Sequence, residues 1–89
     1  MKLYMIRKET FDGKFEYRTS GMSDRWTSQG KCWNGKAFKS FLIYDRDYNG
    51  GNKMLDKLLS YPTATVLIVD TVNEVFCTRP LNLWVEENL

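Results

Sequence analysis

The sequence of 89 residues contains no histidine, only two cysteines and only two prolines. Histidine is the side chain that most often serves as a general base or metal ligand near neutral pH, so its absence excludes hydrolytic triads built on an imidazole. Two thiols without any imidazole also cannot supply the four ligands of a tetrahedral zinc site. We therefore expect a protein that acts by binding and not as an enzyme, and we expect no cofactor.

Long apolar segments and phosphate-binding loops are missing as well. The apolar run at residues 66–69 is far shorter than the roughly 20 residues of a membrane-spanning helix. Gly50-Gly51 is not followed by the Lys-Ser/Thr pair of a phosphate loop, and the charged start of the chain does not resemble an export signal. We expect a soluble, cytoplasmic protein in which Cys32 and Cys77 are reduced thiols packed in or near the core.

The formal net charge is +2, but the charges are unevenly distributed along the chain. Residues 1–50 contain ten Lys or Arg and six Asp or Glu, for a net charge of +4. Residues 51–89 contain three and five, for a net charge of −2. The basic first half predicts a modest attraction for an anionic partner, well below the charge typical of a dedicated nucleic-acid-binding domain.

The apolar pattern predicts a β-hairpin at the start of the chain. Residues 2–8 form an apolar strand without a polar face, which indicates a strand that is covered on both sides or central in its sheet. Asp12-Gly13 supplies the turn, and residues 14–19 return with aromatic side chains on one face and charged side chains on the other. A short third strand near residues 30–33 would give the tryptophans a face to pack on.

Helical spacing follows in the middle of the chain. It predicts a helix that begins near residue 36, ends near residues 45–48 and is capped by Asn34, with Trp33 packing on Phe38 as a hydrophobic staple. A second helix is expected over residues 52–60.

The last third of the chain returns to strand patterns. Residues 63–71 are apolar and β-branched without alternation, which predicts a strand buried on both faces. A turn at residues 72–74 leads to a strand at 75–77, and a short helix is favoured over a strand at 81–89. Together these elements predict one α+β domain over residues 1–89, with a mixed or antiparallel β-sheet and two central helices packed on one face.

The twelve residues from 45 to 56 resemble an EF-hand calcium loop. Oxygen-bearing side chains stand at its first, third and fifth positions, a glycine at its sixth and an acid at its twelfth. The calcium ligands would be Asp45, Asp47, Asn49 and Asp56. Asn52 and Lys53 depart from the pattern, and turns between helices are rich in Asp, Asn and Gly for conformational reasons alone. The favoured interpretation is a structural turn, and calcium binding is an alternative.

Basic and aromatic residues are interleaved between the hairpin and the first helix. The residues expected to contact a partner are Arg18, Arg25, Trp26, Lys31, Trp33, Lys36 and Lys39. Trp and Arg are enriched at protein-binding hot spots, which favours a protein partner. The same residue types can stack on bases and neutralise phosphates, so a single-stranded nucleic-acid-binding module is an alternative. A third interpretation places both tryptophans in the core and leaves the charges as a solvated rim.

Four short segments carry a resemblance to a group of viral proteins. Residues 2–7 contain Leu-Tyr-x-Ile-Arg, residues 12–15 a Gly-Lys turn, residues 26–33 two tryptophans and residues 35–39 the start of a Lys-rich helix. In these segments the chain resembles small, uncharacterised bacteriophage early proteins, whereas residues 63–89 depart from their usual short ending. The resemblance implies an accessory protein that inhibits a host defence system, such as a CRISPR effector or nuclease, or a host enzyme in the host cytoplasm.

Overall fold

The structure is a computed structural model that describes residues 1–19, 25–48 and 53–89. The elements, in chain order, are β1 (Lys2–Glu9), β2 (Phe15–Arg18), β3 (Trp26–Thr27), β4 (Trp33–Asn34), α1 (Gly35–Tyr48), α2 (Lys53–Leu59), β5 (Thr65–Asp70), β6 (Val75–Pro80) and α3 (Leu81–Asn88).

The strands form one antiparallel sheet, which confirms the expected α+β class and decides between a mixed and an antiparallel sheet. The order across the sheet is β3-β2-β1-β5-β6, and β4 pairs with one end of β1. β1 is therefore central, as its lack of a polar face predicted. Gly13 has a φ of +80° in the turn between β1 and β2, a conformation that costs a residue with a Cβ roughly 1–2 kcal/mol.

The first helix begins where the sequence predicted a cap. The side-chain oxygen of Asn34 accepts a hydrogen bond of 2.8 Å from the backbone N–H of Ala37, in the first turn of α1. This bond satisfies one of the N–H groups that the start of a helix leaves without an intrahelical partner. α1 begins one residue before the predicted start and ends within the predicted range of residues 45–48, and α2 agrees with the second predicted helix within one residue at each end.

The aromatic packing at the start of α1 differs from the prediction. The rings of Trp33 and Phe41 lie 4.5 Å apart between centroids, so Trp33 makes its ring contact one turn further along α1 than expected. Tyr4 lies directly opposite Trp33 in the β1–β4 ladder, and its ring stacks on Phe38 at 4.8 Å. Tyr4 thus takes the place on Phe38 that the sequence assigned to Trp33.

All three helices pack on the same face of the sheet. The buried apolar core consists of Ile6, Trp33, Phe38, Leu42, Leu55, Leu58, Ala64, Val66, Leu81 and Trp84. Val66 is completely buried, whereas Leu67 and Val69, which alternate with it on β5, are only half-buried. The prediction that β5 is buried on both faces is therefore wrong, because none of the described helices covers the second face.

The end of the chain is helical, as favoured from the sequence. β6 ends at Pro80, and α3 follows directly from Leu81 to Asn88. Leu81 and Trp84 carry α3 into the core on the same side as α1 and α2. In the described part of the chain no helix combines the length and apolar character needed to cross a membrane.

The cysteine prediction is wrong as regards burial. Cys32 and Cys77 are free thiols, and both are exposed. Cys32 lies in the loop before β4, and Cys77 lies on β6, which forms one edge of the sheet. Both thiols lie outside the buried core, because apolar character alone does not place a small side chain beneath a helix.

Candidate protein-binding site

Two of the seven residues predicted to contact a partner are buried. Arg18 is 1% exposed and Trp33 is 7% exposed. Arg18 lies on the helix-covered face opposite Trp26, with its guanidinium carbon 5.7 Å from the centre of the Trp26 ring. Neither buried side chain is accessible to a partner on the surface of this fold.

Trp26 is half-buried, and its ring is already engaged within the chain. It meets the ring of Tyr61 edge to face, with 5.4 Å between centroids. The ammonium group of Lys8 lies 4.1 Å from the centre of the Tyr61 ring and 4.9 Å from that of Trp26. These contacts engage the rings of Trp26 and Tyr61 within the chain and so disfavour base stacking at this position.

The other predicted residues lie on the surface. The exposed members of the set are Arg25, Lys31, Lys36 and Lys39. They lie in the loop before β3, in the loop before β4 and in the first turns of α1. This part of the surface therefore offers positive charge, while the tryptophans predicted to anchor a partner there are wholly or partly covered.

The predicted calcium loop lies largely outside the described residues. The backbone of Asp45 and Asp47 belongs to the last turns of α1, and Asn49 lies outside the described ranges together with the side chains of both aspartates. Asp56 is exposed on α2. Among the residues that the structure describes, no three Cys, Asp or Glu side chains converge as a metal site would require. Calcium binding by this loop stays a prediction.

The face of the sheet that carries no helix is the feature that the sequence did not predict. We call it the open face, and the ladders assign to it Leu3, Met5, Arg7, Glu9, Phe15, Tyr17, Thr65, Leu67, Val69, Phe76, Thr78 and Pro80. Residues directly opposite one another in neighbouring strands share a face, so these side chains are adjacent across β2, β1, β5 and β6. The open face is therefore a largely apolar surface that extends over four strands.

Exposure on the open face is uneven. The backbone at Gly30 lies so close to Tyr17 that a Cβ built there would be 2.6 Å from the Tyr17 Cβ, and 3.6 Å from the sulfur of Met5. The loop before β4 thus covers this central part. Phe15 and Phe76, at the two ends of the surface, are 42% and 66% exposed.

A cation accompanies the aromatic ring at one end of the open face. The guanidinium carbon of Arg7 lies 4.1 Å from the centre of the Phe15 ring. Lys14, the residue before Phe15, is highly exposed and lies 3.9 Å from a carboxylate oxygen of Asp12. Glu9 lies directly opposite Phe15 in the β1–β2 ladder, so cationic and anionic groups both border this ring.

One sequence signal could have revealed the open face. The alternation in β2 is misleading, because an aromatic face normally packs on the core, whereas here Phe15 and Tyr17 lie on the open face and Arg18 lies on the helix-covered face. The predicted helices, however, were both assigned to one face. A sheet covered on one side cannot bury both faces of β5, so the unbroken apolar run of β5 indicated an uncovered apolar surface.

An open groove lies on the other side of the sheet, next to the turn between β5 and β6. Its volume is about 410 Å³, and it is lined by Lys2, Ile68, Asp70, Asn73, Val75 and Cys77. The Asp70 carboxylate accepts hydrogen bonds from the side-chain amide of Asn73 at 2.9 Å and from the backbone N–H of Val72 at 3.0 Å. The Asn73 amide is the main cause of the lowered pKa of Asp70. Asp70 therefore organises the turn.

The open face is thus the surface best suited to contact another macromolecule. Monomeric soluble proteins rarely leave a large, continuous apolar surface in water, and such surfaces usually mark interaction sites. Comparisons with protein-family models, with curated proteins and with solved structures found no match for this chain.

Proposed function

We propose that this chain is a non-catalytic, protein-binding inhibitor or modulator that contacts its target through the open face. The observation that supports this proposal is the row of apolar side chains on β2, β1, β5 and β6 that none of the described helices covers. Burying apolar surface against a partner contributes about 25 cal/mol for each Å² removed from water, from which the entropic cost of association is subtracted.

The composition of the open face supports a protein target in particular. Protein interfaces combine an apolar centre with a few aromatic anchors, and Phe15, Tyr17 and Phe76 are candidates for that role. A rigid antiparallel sheet holds these anchors at fixed spacing, which lowers the entropy lost on binding.

The basic first half of the chain supports a target whose apolar surface is bordered by carboxylates, since residues 1–50 carry a net charge of +4. On the open face, Arg7 lies over the Phe15 ring, and Glu9 lies directly opposite Phe15 in the neighbouring strand. Complementary charge accelerates association and selects among partners more than it adds affinity. The resemblance of the N-terminal two thirds to phage early proteins suggests a host defence effector or host enzyme in the cytoplasm as the target class.

A pull-down with matched variants tests this proposal. The protein and its variants are immobilised and exposed to host lysate, and retained proteins are quantified by mass spectrometry. We expect Phe15→Thr with Leu67→Thr to reduce retention of the target by about tenfold or more, as truncation of interface anchors usually does. Phe11→Thr, which replaces a fully exposed phenylalanine outside the open face, is the matched control and should retain the target.

Two results would count against the open face as the binding surface. Equal retention by the double variant and by wild type would exclude it, provided that both melt at similar temperatures. If Arg25→Glu with Lys36→Glu lost the target while Phe15→Thr with Leu67→Thr retained it, the interface would instead lie at the loop before β3 and the first turn of α1. Absence of any protein enriched over an empty support would contradict the protein-binding function itself.

A further inference from the structure

The two edges of the sheet differ in length and in protection. β3, at one edge, has two residues, and β6, at the other, has six. Proteins usually shorten or bend an edge strand, or place lysine or proline in it, because unpaired backbone groups otherwise pair with another strand. In β6 every residue is exposed, and residues 75–78 contain neither a charge nor a proline. β6 is therefore an unprotected edge over residues 75–78, while Arg79 and Pro80 lie at its end.

The hydrogen bonds around β6 show which of its backbone groups face outward. The Leu81 N–H donates to the Ala64 carbonyl at 3.0 Å, which makes these two residues a hydrogen-bonded pair of the ladder. Such pairs alternate along antiparallel strands. Counting back from Leu81, the residues that face β5 are Arg79, Cys77 and Val75. Phe76 and Thr78 consequently direct both N–H and C=O away from the sheet.

The other side of β5 leads to the same assignment. The Thr71 N–H donates to the Met1 carbonyl at 3.0 Å, so the odd-numbered residues of β5 form their hydrogen bonds with β1. The even-numbered residues of β5 are then the ones that bond to β6. Their partners in the register are again the residues that alternate with Phe76 and Thr78.

We propose that β6 pairs with β6 of a second copy of this chain, antiparallel about a two-fold axis, so that two sheets become one. This inference goes beyond the proposed function because it concerns the backbone edge and not the open face. In the dimer, Phe76 of each copy exchanges two hydrogen bonds with Thr78 of the other. Four backbone hydrogen bonds therefore form across the axis.

The sequence around β6 selects this register. An axis at Phe76 would pair Thr78 with Glu74, whose φ of +55° is incompatible with an extended strand. An axis at Thr78 would place the Phe76 carbonyl opposite Pro80, which has no N–H to donate. An axis at Cys77 leaves every outward donor and acceptor of Phe76 and Thr78 paired.

The side chains are compatible with the same arrangement. Phe76, at 66% exposure, would pack beside Thr78 of the second copy, and the two open faces would lie side by side. Arg79 would lie beside Val75 of the second copy. Its charge is already neutralised within its own chain, since its Nε donates to a Glu87 carboxylate oxygen at 2.8 Å. Charge repulsion therefore does not oppose the pairing.

Mass measurement by light scattering tests the dimer with a matched pair of variants. We expect the wild-type protein to have twice the 10.5 kDa mass of one chain. Thr78→Pro removes an outward N–H but none that bonds to β5, and it should give the mass of a single chain. Thr78→Val keeps the backbone donor and nearly the same side-chain shape, and it should remain dimeric.

Cross-linking through Cys77 tests the register without depending on how well Thr78→Pro folds. Cys77 would lie opposite Cys77 of the second copy as a non-hydrogen-bonded pair, with Cα atoms about 4.5 Å apart, which suits a disulfide. In a Cys32→Ser background, oxidation with copper phenanthroline should cross-link the two chains rapidly. Moving the thiol by Cys77→Ser with Thr78→Cys should slow cross-linking by about tenfold or more, because those thiols would be out of register.

Either of two outcomes would overturn the inference. A wild-type protein with the mass of one chain at all accessible concentrations would show that β6 does not pair with β6 of a second copy. Pairing of β6 with a strand of a different protein would then be the alternative. Equal cross-linking rates for thiols at positions 77 and 78 would exclude the proposed register. Both measurements use the protein alone, so they fail or succeed independently of any pull-down result.

Discussion

At the scale of single residues, the start of α1 depends on one exposed side chain. Asn34 ends β4 and caps α1, so the chain turns from sheet to helix without a loop between them. The 2.8 Å bond from the Ala37 N–H to the Asn34 side chain makes this abrupt change possible, because the first N–H groups of a helix otherwise need water.

Replacing Asn34 by alanine should therefore destabilise the protein although the side chain is exposed. We expect Asn34→Ala to lower the free energy of unfolding by about 0.5–2 kcal/mol, measured by urea denaturation. Asn34→Ser, which can accept the same hydrogen bond, is the matched control and should stay close to wild type. If alanine and serine had equal effects, the side-chain hydrogen bond would not contribute to stability.

The seven predicted contact residues show that residue type alone does not determine whether a side chain is buried or exposed. Arg18 and Arg25 have the same chemistry, yet Arg18 is buried on the helix-covered face and Arg25 is exposed. The difference follows from the pairing of β2 with β3, which places Arg18 opposite Trp26. Pairing between strands depends on contacts that are distant in sequence, and the pattern within one strand does not report them.

At the scale of elements, local signals identified the helices and the central strand. The Asn cap, the spacing of Phe38 and Leu42 and the turn at Gly13 each depend on neighbouring residues, and each is present in the structure. The surroundings of β5 could not be obtained in this way. Whether an apolar strand is covered on one face or two depends on how many helices the whole chain can place there.

α3 is the element whose type was least certain from sequence, and its two leucines allow a direct test of how it docks. Leu81 is 1% exposed and lies in the core, whereas Leu83 is 37% exposed on the same helix. We expect Leu81→Ala to lower the free energy of unfolding by about 2–5 kcal/mol, the usual cost of a leucine deleted from a core.

Leu83→Ala is the matched control for this change, because it deletes the same atoms from the same helix at an exposed position. It should change stability by about 0.5 kcal/mol or less. Comparable losses for both variants in thermal and urea unfolding would mean that α3 docks through a different face from the one described.

At the scale of the whole molecule, apolar residues exceed what one helical layer can cover. The three helices bury most of one face of the sheet but leave Val75 and Cys77 exposed beside the groove, and the loop at Gly30 covers only the centre of the other face. The exposed apolar area at Phe15 and Phe76 is best explained by an interaction, since leaving it in water costs solubility and stability. The two proposed contacts involve different parts of the molecule: the target would cover apolar side chains of the open face, and a second copy would pair with the edge strand β6.

The distribution of cations and tryptophan rings in the described residues favours a protein over a nucleic acid as the proposed partner. Single-stranded nucleic acid binds to positive grooves in which exposed aromatic rings stack on the bases. Here Trp33 is buried, and the rings of Trp26 and Tyr61 are covered by each other and by Lys8. We therefore expect the anisotropy of a fluorescent oligothymidylate to stay unchanged at physiological salt with about 10⁻⁵ M protein, where many non-specific binders would already respond. A saturable rise in anisotropy that weakens steeply with salt, and that disappears in Lys31→Glu with Lys36→Glu, would contradict this prediction. It would show that these two lysines bind phosphates although the rings of Trp26 and Trp33 are not free to stack on bases.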